Sequence, residues 1–189
     1  MLLRMLHLII TLYAKQKYGS YFGKGARLKG FPRVLVRGEF SVGSNVIVNS
    51  GLRYNPIGGD TRCSIIVEQG AVLRIGDNTG ISNCTIFCAN SITIGNNVLI
   101  GGGVKIYDTD FHSIHFENRM ASYRGSIDND ISTAAVTILD GAFIGAHSLI
   151  LKGVIIGKNS VVGAGSIVTK NIPDNQIWAG NPAKYIKRI

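Results

Sequence analysis

Apolar residues recur every six positions along the C-terminal third of the chain, at Ile138, Ile144, Ile150, Ile156, Val162 and Val168. An amphipathic helix repeats every 3.6 residues and a half-buried strand every two. A strict period of six therefore predicts a short straight side followed by a turn, repeated until the chain winds into a solenoid. Small residues flank the anchors. Gly145, Gly157 and Gly163 follow them directly, and Ala142, Ser148, Ser160 and Ser166 precede them by two. Each corner crowds the backbone, and glycine also permits a positive φ there.

The same step recurs upstream at Ile94, Ile100 and Ile106, at Ile75 and Ile81, and at Val42 and Val48. The frames do not join evenly. Ile75 and Ile94 are nineteen residues apart, one more than three sixes, which predicts a one-residue bulge between Asn83 and Ala89. Ile106 and Ile138 are thirty-two apart, two more than five sixes. Residues 108–135 carry almost no repeat but hold His112, His115, Glu117, Arg119, Arg124 and four aspartates. This is the densest polar segment of the chain, and it reads as a loop leaving the solenoid wall, the kind of place where functional residues collect on a rigid scaffold.

Repeats of this type bury their apolar edge only by stacking, so the end coils need caps. Residues 1–31 form the first candidate. Leu3, Leu6, Ile10 and Tyr13 fall at helical spacing, with Arg4 and Lys15 on the other side. The apolar stretch is short, interrupted by Arg4 and His7, lacks a small-residue cleavage site and is too short to span a bilayer. It reads as a capping or docking helix rather than an export signal. The lysines at 15, 17 and 24 leave peripheral membrane contact through this helix open. Residues 32–189 then form the repeat domain, closed by a short cap from Pro173 onward.

Composition narrows the picture without changing it. The 189 residues suit one domain, 46% are hydrophobic, and 24 glycines supply a corner per repeat. Cys63, Cys84 and Cys88 are odd in number and lack metal-like CxxC spacing, which fits buried thiols and a cytoplasmic location. The net charge of +9 does not come with a nucleic-acid motif or aromatic interleaving. Its C-terminal cluster, Lys170, Lys184, Lys187 and Arg188, suits a small polyphosphate ligand instead.

Ile138 to Ile189 resembles the C-terminal coils of the hexapeptide-repeat acyltransferases, which include galactoside, maltose, serine and polysaccharide O-acetyltransferases. The resemblance rests on Val161 to Lys170, with its Gly163-Ala164-Gly165 element, on Ile172-Pro173, and on Ala179-Gly180-Asn181-Pro182-Ala183-Lys184. Looser similarity extends back to about Gly38. It implies an all-β fold, a left-handed parallel β-helix with three hexapeptides per coil, a homotrimer with sites between subunits, and acetyl-CoA as co-substrate along the terminal coils. By the same resemblance Ala146, Ala164, Thr169, Lys170, Lys184 and Lys187 contact acetyl-CoA. The two terminal lysines stand where the galactoside enzymes have arginines, keeping the charge but losing the planar fork.

Among the histidines, His7 falls in the N-terminal helix and His147 at a repeat corner, so both read as structural. His112 lies six residues beyond Ile106, at a lattice position expected to be aliphatic. The run Asp108-Thr109-Asp110-Phe111-His112-Ser113 resembles the histidine segment of polysaccharide O-acetyltransferases. His112 is therefore the candidate base and His115 the second choice. A neutral imidazole would take the proton of a sugar hydroxyl as its oxygen attacks the thioester, then protonate the departing thiolate. Imidazoles ordinarily titrate near 6.5, which suits both steps. Asp110 or Asp108 would orient the ring, and spacing does not choose between them. Ser82, Asn83 and Arg119 are candidate acceptor contacts, although the galactoside family's key asparagine aligns with Ile81.

The sequence thus predicts an acetyl-CoA-dependent O-acetyltransferase acting on a sugar or glycan hydroxyl without a metal. Two other readings stay open. A γ-class carbonic anhydrase-like zinc protein would use His112, His115 and His147, and a non-catalytic trimeric scaffold would use none of these groups.

Overall fold

The computed structural model describes residues 2–58, 61–124 and 130–189 and, within its helices, only some of the side chains. Those of Leu3, Arg4, Leu6, His7, Ile10 and Lys15 lie outside the described set, as does Asp128. Helix α1 (Leu2–Tyr18) leads through a short 3-10 turn into three strands, β1 (Arg27–Lys29), β2 (Arg33–Val36) and β3 (Glu39–Val42). The second circuit is β4 (Ile47–Asn49), β5 (Ser64–Val67) and β6 (Val72–Ile75). The third is β7 (Gly80–Ser82), β8 (Thr85–Cys88) and β9 (Ser91–Ile94). In the fourth, β10 (Leu99–Ile100) and β11 (Lys105–Tyr107) are separated from β12 (Val136–Ile138) by an excursion holding helix α2 (Phe116–Tyr123). The fifth is β13 (Phe143–Ile144), β14 (Leu149–Ile150) and β15 (Ile155–Ile156). Strands β16 (Val161–Val162), β17 (Ile167–Val168), β18 (Gln176–Ala179) and β19 (Lys184–Arg188) complete the chain.

From β1 to β14 each strand pairs in parallel with the strand three places on, β16 pairs in parallel with β18, and the result is three sheets. The first runs β1-β4-β7-β10-β13-β16-β18-β19, the second β2-β5-β8-β11-β14-β17, and the third β3-β6-β9-β12-β15. Among the described strands only β18 and β19 pair antiparallel. The period of six thus becomes a stack, with Ile138 under Ile156, Ile144 under Val162 and Ile150 under Val168. All six side chains are fully buried. The first circuit begins earlier than the apolar spacing predicts, because β1 lies inside the expected capping segment and pairs with β4.

Asparagine occupies the corners that need a left-handed backbone, with φ near 56° at Asn45, Asn78, Asn97, Asn159 and Asn175. Beside them Asp77, Asn96, Asp140 and Asp174 accept hydrogen bonds from backbone N–H groups of Ser44, Asp77, Asn96 and Lys158. These corner groups satisfy donors that a tight turn would otherwise strand.

The predicted bulge between Asn83 and Ala89 is not formed. Strand β8 pairs without slip with β5 and β11. The surplus residue lengthens one side of the circuit, so that Cys84, Ile86 and Cys88 all point inward and are fully buried. The next circuit repeats this with Val104, Ile106 and Asp108, each also fully buried. The inward lattice therefore ends at Asp108. His112, expected on a lattice position, is exposed on the excursion.

Candidate active site

The excursion is pinned at its root. The Asp110 N–H donates to the Ser132 carbonyl (3.1 Å), the Ala134 N–H donates to the Asp108 carbonyl (3.0 Å), and Thr109 and Thr133 form an antiparallel bridge. Asp108 does not orient a histidine there. One of its oxygens accepts the Ala89 N–H at 2.7 Å and the other the Asn90 N–H at 2.8 Å. It fixes the corner of the circuit below, and its charge and that corner's burial act on the Cys88 thiol. Burial first, and Asp108 second, push that thiol up to about 12, so it stays protonated. Asp110 is also engaged elsewhere, with Lys152 Nζ at 3.1 Å. Both expected His112–aspartate pairings are thus replaced by contacts that shape the loop.

His112 is instead positioned by packing. The preceding Phe111 has a φ of 66°, unusual for a bulky residue. Its ring lies against Phe87 (4.8 Å) and Tyr107 (5.0 Å, edge-on), which holds that backbone in place and turns the chain outward at His112. His112, Arg119, Met120 and Tyr123 line an open cavity of about 420 Å³. Arg119 is anchored through Nη1 to the carbonyls of Ser113 (2.8 Å) and Ile114 (3.1 Å). Helix α2 is not an element the repeat predicts, although Phe116, Met120 and Tyr123 fall at helical spacing, with the acidic Glu117 in the first turn.

Among the described residues the carboxylate nearest a histidine is Asp130, a residue for which the sequence pattern suggests no role. It lies 3.8 Å from His115 Nε2 and accepts hydrogen bonds from Ser113 Oγ (2.8 Å) and Asn118 Nδ2 (3.0 Å). These two bonds, reinforced by His115, hold Asp130 below its usual carboxylate range. The stabilisation from this cluster is present above the ordinary carboxylate pKa and fades as pH falls through the depressed value. Among the described residues, no carboxylate is bonded to the His112 ring.

Asn83 is also drawn away from the expected role. Only 2% exposed, it accepts the Gly51 N–H (2.8 Å) through Oδ1 and donates through Nδ2 to the Asn55 carbonyl (3.2 Å). Its amide holds the loop after β4. Ser82 is half-buried, with Oγ accepting from Asn49 Nδ2 at 3.1 Å. His147 stands at a corner with φ 60°, and its ring covers the space beside Gly103 that a Cβ would fill. Among the described residues no group of three His, Cys, Asp or Glu side chains is arranged to hold a metal, so His112, His115 and His147 do not converge.

The terminal candidates separate into three places. Thr169, Lys170 and Lys184 share a recess of about 260 Å³ with Trp178, Pro182, Ala183 and Tyr185. Trp178 and Tyr185 meet edge-on at 6.5 Å and supply an aromatic wall that charge spacing alone did not reveal. Lys187 lies outside it, paired with Ile177 along β19. Ala146 and Ala164 stack at a neighbouring corner, where the Gly165 N–H donates to the Ala146 carbonyl at 2.8 Å. Gly145 must lack a side chain there, since a Cβ would sit 2.5 Å from the Ala164 nitrogen. Strand β17 stacks on β14 and β14 on β11. At about 4.8 Å per strand, Lys170 therefore lies about 10 Å along the stack from the root of the His112 loop.

Residues 135–170 match the family described as the hexapeptide repeat of succinyl-transferase. The galactoside O-acetyltransferase of Escherichia coli is 40% identical over 126 residues, which cover 66% of this chain and 58% of that protein. The chain spans between 48% and 59% of the length of the curated relatives it matches. A hexapeptide-repeat acetyltransferase of Vibrio cholerae, solved with acetyl-CoA, matches with a TM-score of 0.55 at 32% identity, over 61% of this chain and 60% of that one. A galactoside acetyltransferase solved with coenzyme A matches with a TM-score of 0.55 at 26% identity, over 93% of this chain and 69% of that one. The chain therefore carries the hexapeptide repeat and resembles the hexapeptide-repeat acetyltransferases in sequence and in fold.

Proposed function

We propose that this protein is an acetyl-CoA-dependent O-acetyltransferase whose acceptor is a hydroxyl of a sugar or glycan intermediate. The observation that carries the reading is the pairing of two recesses along one stack of strands. One is basic and aromatic at the terminal coils, and the other is lined by His112 on the excursion. Lys170 and Lys184 would meet the phosphates of acetyl-CoA and Trp178 its base, while the small corners at Ala146 and Ala164 let the pantetheine arm pass. His112 takes the acceptor proton as the hydroxyl oxygen attacks the thioester carbonyl. Collapse of the tetrahedral intermediate expels the thiolate, which recovers that proton from the imidazolium. Arg119 and Ser82 are the proposed acceptor contacts. The acetyl-CoA and coenzyme A complexes of the two similar structures support the donor, and the galactoside enzyme supports the acceptor class. Three free thiols fit a reducing, cytoplasmic setting.

Incubation with acetyl-CoA and a panel of sugar acceptors, followed by free-thiol release, tests the activity. Substituting Lys170, Lys184 and Lys187 together by Gln is expected to raise the KM for acetyl-CoA at least about tenfold and to leave that for the acceptor nearly unchanged. Equal effects on both would remove the donor from this recess.

The stack is proposed to wind left-handed and to assemble as a homotrimer. Support for assembly comes from an outward apolar row on the first sheet, where Leu99, Phe143, Val161 and Ile177 stand in register. Leu99 is 55% and Phe143 44% exposed in the single chain. Closed three-fold assembly predicts a sedimentation mass about three times that of the chain, and an active monomer would contradict it.

A further inference from the structure

Helix α1 is apolar on two sides. Its inner side packs Ala14 and Tyr18, both buried, onto the first circuit, with Tyr13 and Tyr18 ring-to-ring against Phe31. Its outer side carries Met5, Leu8, Ile9 and Leu12, each more than half exposed. The spacing of i, i+3, i+4 and i+7 puts these four in one stripe. No described helix is long and apolar enough to cross a membrane, so this stripe can lie on a bilayer without spanning it.

Charge points to what covers the stripe. Residues 1–38 hold eight lysines and arginines and no aspartate or glutamate, whereas residues 39–189 hold twelve basic and eleven acidic side chains. Almost the whole net charge therefore resides in α1 and the first circuit, the end of the stack that carries the apolar stripe. Lys17, Lys24, Arg27 and Arg33 are exposed there. Immediately after α1, an open cavity of about 450 Å³ is lined by Gly19, Phe22, Lys24, Gly25 and Arg27, among others. It offers two cations and room for a phosphate headgroup beside the stripe. A second copy of this end would instead place like charges face to face.

We infer that this end of the protein docks on an anionic lipid bilayer, with Met5, Leu8, Ile9 and Leu12 in the acyl-headgroup boundary and Lys24 and Arg27 on lipid phosphates. An apolar face with flanking basic residues gains from both burial and surface potential. The inference stands on residues remote from the His112 and Lys170 recesses and does not depend on acetyl transfer.

Co-sedimentation of the full chain with vesicles of phosphatidylcholine alone, or of phosphatidylcholine with phosphatidylserine, tests it. The chain is expected to pellet with the anionic vesicles, to remain in solution with the neutral ones, and to be released by high salt through screening. Leu8→Ser with Ile9→Ser is expected to lower the partition coefficient about tenfold or more. Lys24→Gln with Arg27→Gln is expected to lower it about fivefold per charge. All four positions are exposed, and unchanged melting of the variants establishes that they are folded. Absence of the folded wild type from the anionic pellet overturns the inference. So does binding that Leu8→Ser with Ile9→Ser leaves intact. A concentration-dependent mass lost in that variant, without vesicle binding, would assign the stripe to a second copy and overturn it equally.

Discussion

His112→Ala is expected to lower kcat by roughly 10²- to 10⁴-fold, the range for loss of a positioned acid-base group, while the Kd for acetyl-CoA stays nearly unchanged. The side chain is exposed on the excursion and lines the cavity with Arg119. Its removal therefore creates no core void, and the melting temperature should hold within about 2 °C. His115→Ala provides the contrast. His115 stands beside Asp130, which is tied to Ser113 and Asn118. That cluster ties the two arms of the excursion together just beyond its root. His115→Ala should thus reduce turnover only modestly, and Asp130→Asn should resemble it. Near-normal turnover in His112→Ala, together with collapse in both His115→Ala and Asp130→Asn, would transfer the base to the His115–Asp130 pair.

Asp108→Ala is expected to lower stability by about 2 to 5 kcal/mol, because the backbone N–H groups of Ala89 and Asn90 lose charged acceptors at a buried corner. In a chain of this length that corresponds to a fall of roughly 5 to 15 °C in the melting temperature. Asp108→Asn should fall between, since its amide presents an oxygen to one N–H and an NH₂ to the other. Turnover should drop in step, because the corner at Ala89 and Asn90 that the carboxylate holds lies directly below the root of the His112 loop. Melting separates this role from the one expected of a residue that orients the catalytic ring. Loss of turnover at unchanged melting temperature would return Asp108 to the histidine.

The comparison of these two residues shows why some of the site was legible and some was not. His112 stands out as a candidate in the sequence because it is a titratable side chain in a polar, repeat-free run where the lattice expects an aliphatic one. Asp108 has the same sequence context, yet only the stack places it at an inward position above Cys88, within reach of two backbone donors in the circuit below. Carboxylate partners are set by which circuits are neighbours, and Asp108 lies nearly twenty residues from the donors it satisfies. For the same reason Asp110 meets Lys152, and Asn83 meets the loop after β4. Polar residues near a corner are consumed by the corner when backbone donors would otherwise be unpaired.

What the sequence determined by itself is the winding. A strict six-residue period admits no single helix or hairpin, and small or left-handed residues at every corner leave only stacked circuits with one apolar side chain turned inward per side. It also marked the excursion, because the repeat fails there, and the terminal lysines, because they gather beside Gly163-Ala164-Gly165 and Asn181-Pro182-Ala183-Lys184. The tertiary structure alone decided where the surplus residue of the third circuit goes, which aspartate meets which donor, that Phe111 between Phe87 and Tyr107 turns His112 outward, and that Trp178 and Tyr185 wall the terminal recess. Periodicity is a one-dimensional property and survives in the sequence. Contacts between circuits depend on which corners stack, and these exist only once the chain has closed its turns.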